Sequence, residues 1–162
     1  MSIELNGLAQ WIYTRMTNPN ALNLSAQQQN AVNSIVSIVG VHPDLGIIQV
    51  YERMAPKGAV LPYVVYQYTT GMNLLGSGGY RIAVKPKYQI KGITGGESYG
   101  TNAQQLADAI DALFNRSQDM VDPVVTGCSA IRPIQYEDFD GGERHNHYGE
   151  EVEFMAYDQS SS

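Results

Sequence analysis

The order in which hydrophobic periodicities follow one another along the 162-residue chain is the feature that most restricts its fold. Two segments with apolar residues at helical spacing come first, over residues 3–16 and 25–39. After the turn at 42–44 the pattern changes to the two-residue period of β-strands. One further helical segment, 101–116, interrupts these strands. Because this order lacks regular strand–helix alternation, it predicts an α+β fold: a mainly antiparallel sheet packed against two or three helices.

Turn and cap residues set the expected boundaries. Ser25 is a typical helix N-cap and Gly40 a typical helix terminator. Pro86 falls inside an alternating strand and predicts either a sheet-edge position or a bulge there. The predicted strands span residues 47–51, 60–68, 80–93, 124–136 and 148–157.

The length of the chain favours one domain. We expect a helical N-terminal region over 1–45, a sheet with its helix over 47–157, and a flexible tail over 158–162. The N-terminus lacks a basic region followed by an apolar core, and no apolar run approaches the roughly 18 residues of a membrane span. The sequence therefore predicts a soluble protein made in the cytoplasm.

Charge is sparse in this chain, because only 16% of its residues are charged, whereas globular domains average about 25%. Gln, Asn, Ser, Thr and Gly supply the polarity instead, a composition common in surfaces that become subunit contacts. A net charge of −6 argues against a protein that wraps nucleic acid. The single Cys128 excludes an internal disulfide and a cysteine-based zinc site, and it is interpreted as a small buried hydrophobe.

One short motif suggests an enzyme. Residues 96–100 read Gly-Glu-Ser-Tyr-Gly and fit the G-x-S-x-G nucleophile elbow around Ser98, with Asp122 and then His145 or His147 in hydrolase order. The elbow needs a helix that begins at the serine, however, and the better helix start is three residues later. The chain also offers too few parallel strands for that fold. A small serine hydrolase remains the alternative from a different functional class.

Two glycine-containing segments resemble ligand loops only in part. Residues 76–79 could cradle a phosphate, but they lead into a strand, and they are interpreted as a flexible loop. Residues 138–142 resemble the middle of a calcium loop. Tyr136 and His147 would then occupy positions that need carboxylates, so a turn is predicted instead.

His145 and His147 are two residues apart and would share one face of a strand, with Glu143 nearby. Such a pair could begin a metal site, but no further ligand is fixed by spacing. The interpretation favoured is polar strand residues, with no metal and no cofactor.

The strand over 80–93 has a basic face that holds four of the ten basic residues, Arg81, Lys85, Lys87 and Lys91. This face could contact DNA or an acidic partner. It could equally pair across strands with Glu151 and Glu153, each pair contributing roughly 0.2–1 kcal/mol, and pairing within or between subunits is favoured. The preceding segment, 71–79, is predicted to be a flexible loop with Leu74 and Leu75 as an apolar tip that inserts into a neighbour.

Two stretches of the sequence carry a family resemblance. A short strand at Val50 and Tyr51 leads through Ala55-Pro56 to Leu-Pro-Tyr-Val-Val-Tyr at 61–66. This arrangement is similar to the start of the tail-completion or tail-terminator proteins of long-tailed bacteriophages. The long strand followed by helix 101–116, and a Gly- and His-rich approach to the last strand at 141–149, match the same pattern.

The resemblance covers about residues 47–157, and the chain departs from it at the helix 25–39 and at the enlarged loop 71–79. It implies a compact α+β subunit of the virion neck, without enzymatic activity or cofactor. Such a subunit forms a ring, a homohexamer, on the end of the tail tube. Its expected partners are further copies of itself, the tail-tube protein and the head–tail connector or stopper, with DNA only as passing cargo and no membrane. The departures leave a head–tail adaptor or stopper as the alternative.

Overall fold

The structure of the protein is a computed structural model that describes residues 5–21, 24–75, 78–79, 81–95, 101–115 and 125–157. Within these ranges the chain forms three helices and five strands in the predicted order. Their bounds are α1 Leu5–Thr17, α2 Ala26–Val39, β1 Val50–Glu52, β2 Tyr63–Leu75, β3 Arg81–Gly95, α3 Thr101–Phe114, β4 Val125–Asp140 and β5 Glu143–Tyr157. None of the described helices is long and apolar enough to cross a membrane.

The five strands form one sheet in the order β1-β2-β3-β5-β4. The short β1 runs parallel to β2, and every other pairing is antiparallel. The predicted α+β fold with a mainly antiparallel sheet is therefore confirmed. The sheet ends on one side at β4 and on the other at β1, which covers only three residues of β2, Val64–Tyr66.

The helix α2 begins and ends where its caps predict. The Ser25 hydroxyl accepts a hydrogen bond from the Gln28 backbone N–H at 3.2 Å, and the Gln28 side chain accepts one from the Ser25 N–H at 3.0 Å. This reciprocal pair satisfies two donors that the first turn leaves free. Gly40 ends the helix with a positive φ of 64°, which glycine adopts without strain.

The core lies between the helices and the sheet. The apolar stripe of α3, with Leu106, Ile110 and Phe114, is fully buried, as are Val152 and Phe154 on β5. Full burial of each such side chain contributes about 1.5–3 kcal/mol before entropy is subtracted. Val152 and Phe154 therefore form the inward face of β5.

Pro86 lies in an interior strand, so the edge alternative for this residue is wrong. It is opposite Gly71 of β2, and the register between β2 and β3 shifts beside it, between Tyr68 and Thr70. The extra residue belongs to β2, so a bulge occurs, but on the partner strand.

Several predicted boundaries are corrected by the structure. The segment from Gly71 is not a loop as far as Gly79, because β2 continues through Leu75. The last strand begins at Glu143 rather than at 148. The turn expected over 138–142 is confined to Gly141 and Gly142, with φ of 61° and 86°. Two consecutive positive φ values are typical of the tight turn of a β-hairpin. Polar residues on both strands of this hairpin hid its extent from sequence periodicity.

Candidate functional site

Exposed apolar side chains concentrate at the two edges of the sheet. In the described part of the chain, the large hydrophobic residues that are exposed belong either to β4 or to β2 and the loops that flank β1. They are Ile131, Tyr136 and Phe139 in the first group, and Val41, Leu45, Ile47, Met54, Val60 and Tyr68 in the second. Scattered exposed hydrophobes are ordinary, whereas a concentration at two opposite edges marks these edges as candidate interaction surfaces.

The loops that flank β1 are held in place by Gln49, which is 3% exposed. Its amide nitrogen donates to the carbonyl oxygens of Val39 and Val60 at 2.7 and 2.8 Å. Its amide oxygen accepts from the Val60 N–H at 2.9 Å and from the Tyr51 hydroxyl at 3.1 Å. One buried side chain therefore joins the end of α2, β1 and the loop before β2.

His42 acts in the same region. Its Nδ1 accepts hydrogen bonds from the backbone N–H groups of Asp44 and Leu45, which leaves Nε2 to donate to the Lys57 carbonyl oxygen at 3.0 Å. His42 is 1% exposed. Together with Gln49 it gives this apolar edge a fixed shape, and the sequence pattern singled out neither residue.

Three lysines of the predicted basic face share one side of β3, and their role in an interface stays a prediction. Lys85, Lys87 and Lys91 are half-buried and alternate with buried residues of β3. The structure does not describe the side chains of Arg81, Leu74 and Leu75. Their backbones are paired: Leu75 is opposite Arg81, and Leu74 is opposite Ala83. The two leucines are therefore strand residues and not a loop tip, and their role in assembly stays a prediction.

The lysines of β3 have one of the predicted cross-strand neighbours and one that was not predicted. Lys91 donates a hydrogen bond to the Tyr136 hydroxyl, and its Nζ lies 5.0 Å from the centre of that ring. Glu151 forms its ion pair with Arg132 of β4, at 3.0 Å. Of the two predicted acidic partners, Glu153 is directly opposite a basic residue, Lys87. The basic face therefore contacts β4 through Tyr136. The spacing of residues in the sequence did not indicate this contact.

The two histidines lie on β5, and among the described residues His147 has a carboxylate close to its ring. The His147 ring stacks on Tyr136 with centroids 4.3 Å apart, and its Nε2 is 3.0 Å from Asp138 Oδ1. Burial lowers the pKa of His147, and the nearby Asp138 carboxylate opposes this shift only in part. Within the residues that the structure describes, no three His, Cys, Asp or Glu side chains come together as a metal-binding group.

The tip of the β4–β5 hairpin faces the loop over 55–61 across an open cleft of about 680 Å³. Tyr63, Asp140, Glu143 and His145 contribute polar groups to its walls. Burial raises the pKa of the Tyr63 hydroxyl, and the negative charges of Asp140 and Asp138 raise it further. The cleft brings a carboxylate-rich hairpin close to the loop that precedes β2.

A buried carboxyl group lies between β5 and α3. Burial raises the pKa of Glu150 to about 8, and a hydrogen bond to the Asp111 side chain contributes to the shift. The folded protein therefore keeps a proton on Glu150 that the unfolded chain loses near its ordinary value of 4.5. Since the folded state binds the extra proton over this range, the free energy of unfolding decreases as the pH rises from about 4.5 to about 8.

We expect Glu150→Gln to raise the free energy of unfolding by up to about 4 kcal/mol at pH 8.5 and by less than about 0.5 kcal/mol at pH 4.5. The amide still donates a hydrogen bond to Asp111 but needs no proton. Urea denaturation at the two pH values measures the difference, with the half-buried Glu153→Gln as the matched control. An equal gain at both pH values would contradict a proton held by Glu150.

Comparison with solved structures places this fold among known chains. The chain is similar to one from the virion of a native gene transfer agent (GTA) particle, with a TM-score of 0.53 and 14% sequence identity. The similarity covers 81% of this chain and 90% of that chain. No model of a protein family matches the sequence, and no curated protein matches it either. At this identity the likeness establishes a shared fold.

Proposed function

We propose that the chain is a non-enzymatic structural protein of a virion that caps the end of a phage tail tube and joins it to the head connector as a homohexameric ring. The observation that carries the proposal is the fold it shares, over most of both chains, with a component of a phage-like particle. The sequence resemblance to tail-terminator proteins over residues 47–157 points independently to the same part of such a particle.

Two physical features support a subunit that works among copies of itself. Exposed apolar side chains lie at both edges of the sheet, so each subunit has two different surfaces to cover. A ring uses two different surfaces on every copy, since each interface is heterologous. The low charge content, 16%, keeps the cost of desolvation small when such surfaces meet.

Net acidity fits a ring through which DNA passes. A formal charge of −6 per subunit repels the phosphate backbone, so DNA is cargo rather than a bound partner in this proposal. A head–tail adaptor or stopper in the neck remains the alternative, and it shares the ring, the virion position and the connector as a partner.

Native mass spectrometry of the purified full chain tests the ring. We expect a species of six subunits, visible as rings by negative-stain electron microscopy. A chain that stays monomeric at every concentration contradicts this part of the proposal. An oligomer with another subunit number contradicts the hexamer specifically.

Leu74 and Leu75 provide a second test. We expect the double change to Ser to leave the far-ultraviolet circular dichroism unchanged and to weaken ring formation by roughly tenfold, since two apolar contacts are lost. The ring fraction against concentration, followed by native mass spectrometry, measures the effect. Unchanged assembly would remove both leucines from the interface.

The hydrolase alternative makes a different prediction. The strand β3 that precedes Ser98 is antiparallel to both of its neighbours, whereas a nucleophile elbow follows a strand in a parallel sheet. Ser98 and Asp122 themselves lie outside the described residues. We expect no labelling by a fluorophosphonate probe, and labelling that Ser98→Ala abolishes would favour the enzyme instead.

A further inference from the structure

One half of the edge strand β4 is open to pairing. Among the described residues, 127–130 have a strand partner, β5, on one side only, and the Ala130 N–H donates to the side-chain oxygen of Asn115 at 3.3 Å. Register shifts on either side, at 126 and 131, bound this regular stretch. It contains neither proline nor charge. The other half carries Pro133 and four charged residues: Arg132, Glu137, Asp138 and Asp140. Edge strands are normally protected from pairing by such residues, and only the second half of β4 has this protection.

The opposite edge of the sheet is open over a stretch of similar character. Since β1 covers β2 only at Val64–Tyr66, residues 70–72 have a strand neighbour on one side only, β3, among the described elements. Thr70 and Gly71 are exposed, and this stretch is also free of charge and proline.

The two open stretches lie at the same position along the strand direction of the sheet. Ser129 of β4 is opposite Glu153, Glu153 is opposite Lys87, and Lys87 is opposite Thr70. A neighbouring copy that continues the sheet therefore needs no shift along the strands to bring its residue 70 beside residue 129. A ring requires an assembly without such a shift and a rotation between copies that closes, whereas a shift at every step would generate a helix.

Strand direction agrees with this arrangement. The antiparallel pairings between β2 and β3, β3 and β5, and β5 and β4 make β4 run opposite to β2. A second copy in the same orientation therefore presents its β2 antiparallel to β4 of the first. A two-fold pairing of β4 with β4 would instead leave both β2 edges open.

Side chains and charges near the two edges are complementary. Ile131, 46% exposed, ends the open stretch of β4, and Tyr68, 42% exposed, precedes that of β2. Exposed Arg53 and Lys57 follow β1. In a neighbouring copy, as across the cleft of their own copy, they would lie on the side of the acidic β4–β5 hairpin, whose carboxylates Glu137, Asp138 and Asp140 are exposed.

We propose that copies of this chain join edge to edge, with residues 127–130 of β4 in one copy paired antiparallel to residues 70–72 of β2 in the next, so that one sheet continues around the ring. The proposal rests on the ring of the proposed function and names the surfaces that form it. Each interface adds backbone hydrogen bonds along a stretch without charge, flanked by apolar contacts and opposite charges.

Disulfide trapping in the full chain tests this register. Opposite residues in antiparallel strands have Cα atoms about 4.5–5.5 Å apart, a distance that a disulfide spans. We expect the double variant Ser129→Cys, Thr70→Cys, oxidised with copper phenanthroline, to give a ladder of covalent multimers that ends at the ring. Ser129→Cys with Gln67→Cys is the matched control, because residue 67 lies three residues, about 10 Å, further along the strand. The single variants control for the native Cys128.

A charge on either edge provides an independent readout. We expect Ser129→Lys or Thr70→Lys to weaken ring formation by at least roughly tenfold, while Gln29→Lys on the exposed face of α2 leaves it unchanged. The edge pairing is wrong if the wild-type chain forms rings while the matched cysteines give no ladder and the charged variants still assemble. That result would leave the proposed ring itself intact. A ladder that stops at the dimer overturns the edge pairing in favour of two-fold pairing. If the wild-type chain forms no oligomer, both proposals fall.

Discussion

Replacing Gly149 with alanine is expected to unfold the protein or to lower its free energy of unfolding by more than about 4 kcal/mol. A Cβ atom at this position would lie 2.1 Å from the Ile90 carbonyl oxygen and 2.5 Å from the Lys91 Cα. Both are backbone atoms of the neighbouring strand β3, so they cannot move aside without breaking the pairing of β3 with β5. Urea denaturation followed by circular dichroism measures the loss.

Gly95 provides the matched control for this substitution. It is also a half-buried strand glycine, but a Cβ there would meet only Leu61 Cδ1, at 3.6 Å. We expect Gly95→Ala to change the free energy of unfolding by less than about 1 kcal/mol. If the two variants are equally stable, the close approach of β3 and β5 at Gly149 is not as described.

The consequence of Gly149→Ala reaches beyond stability. Among the described strands, β4 pairs with β5 alone, so a loosened pairing of β3 and β5 is expected to displace the β4 edge relative to the β2 edge. Any folded fraction of the variant is therefore expected to lose ring formation.

Replacing Gln49 with alanine is expected to lower the free energy of unfolding by about 3 kcal/mol. The change removes the partners of four polar groups, contributed by Val39, Val60 and Tyr51. Buried groups left without partners each cost about 1–3 kcal/mol, and water entering the vacated space offsets part of the sum. Thermal and urea denaturation measure the loss.

The exposed strand residue Gln67 is the control for Gln49. We expect Gln67→Ala to change stability by less than about 0.5 kcal/mol. A Gln49→Ala variant as stable as this control would show that the amide does not fasten the loops around β1. Loss of stability without faster proteolysis of the 40–60 region would place the damage elsewhere in the fold.

Much of the fold follows from the sequence for identifiable reasons. The helix over 26–39 has a capping box at Ser25 and a glycine at its end, and α3 has one continuous apolar stripe, so local signals and burial agree. The alternation in β3 is equally clear, because Tyr88 and Ile90 are buried while Lys87 and Gln89 are only half-buried.

The sequence predictions of strand boundaries fail where polar and apolar residues do not alternate along the strand. The hairpin of β4 and β5 carries polar side chains on both faces, so periodicity did not reveal that it reaches Asp140 and Glu143. The end of β2 looked like a loop because Gly71 and the glycines that follow favour turns, whereas pairing with β3 keeps it extended as far as Leu75. Tertiary pairing overrides local preference in both places.

The candidate surfaces were predictable only in part. The basic face of β3 follows from alternation, but the tie from Lys91 to Tyr136 depends on the order β3-β5-β4. Likewise, the open stretches at residues 129 and 70 are far apart in the sequence. Their alignment along the strand direction depends on the pairing registers of β4 with β5, β5 with β3, and β3 with β2. No local pattern encodes these relationships.

Immunogold electron microscopy of particles produced by the genome that encodes this chain tests the central claim most directly. An antibody raised against the purified protein is applied to intact particles and to tails detached from heads. The proposed function predicts gold at the head-proximal end of detached tails, together with free tube of irregular length when the gene is deleted. Particles that carry no label, or that remain complete without the gene, would contradict it.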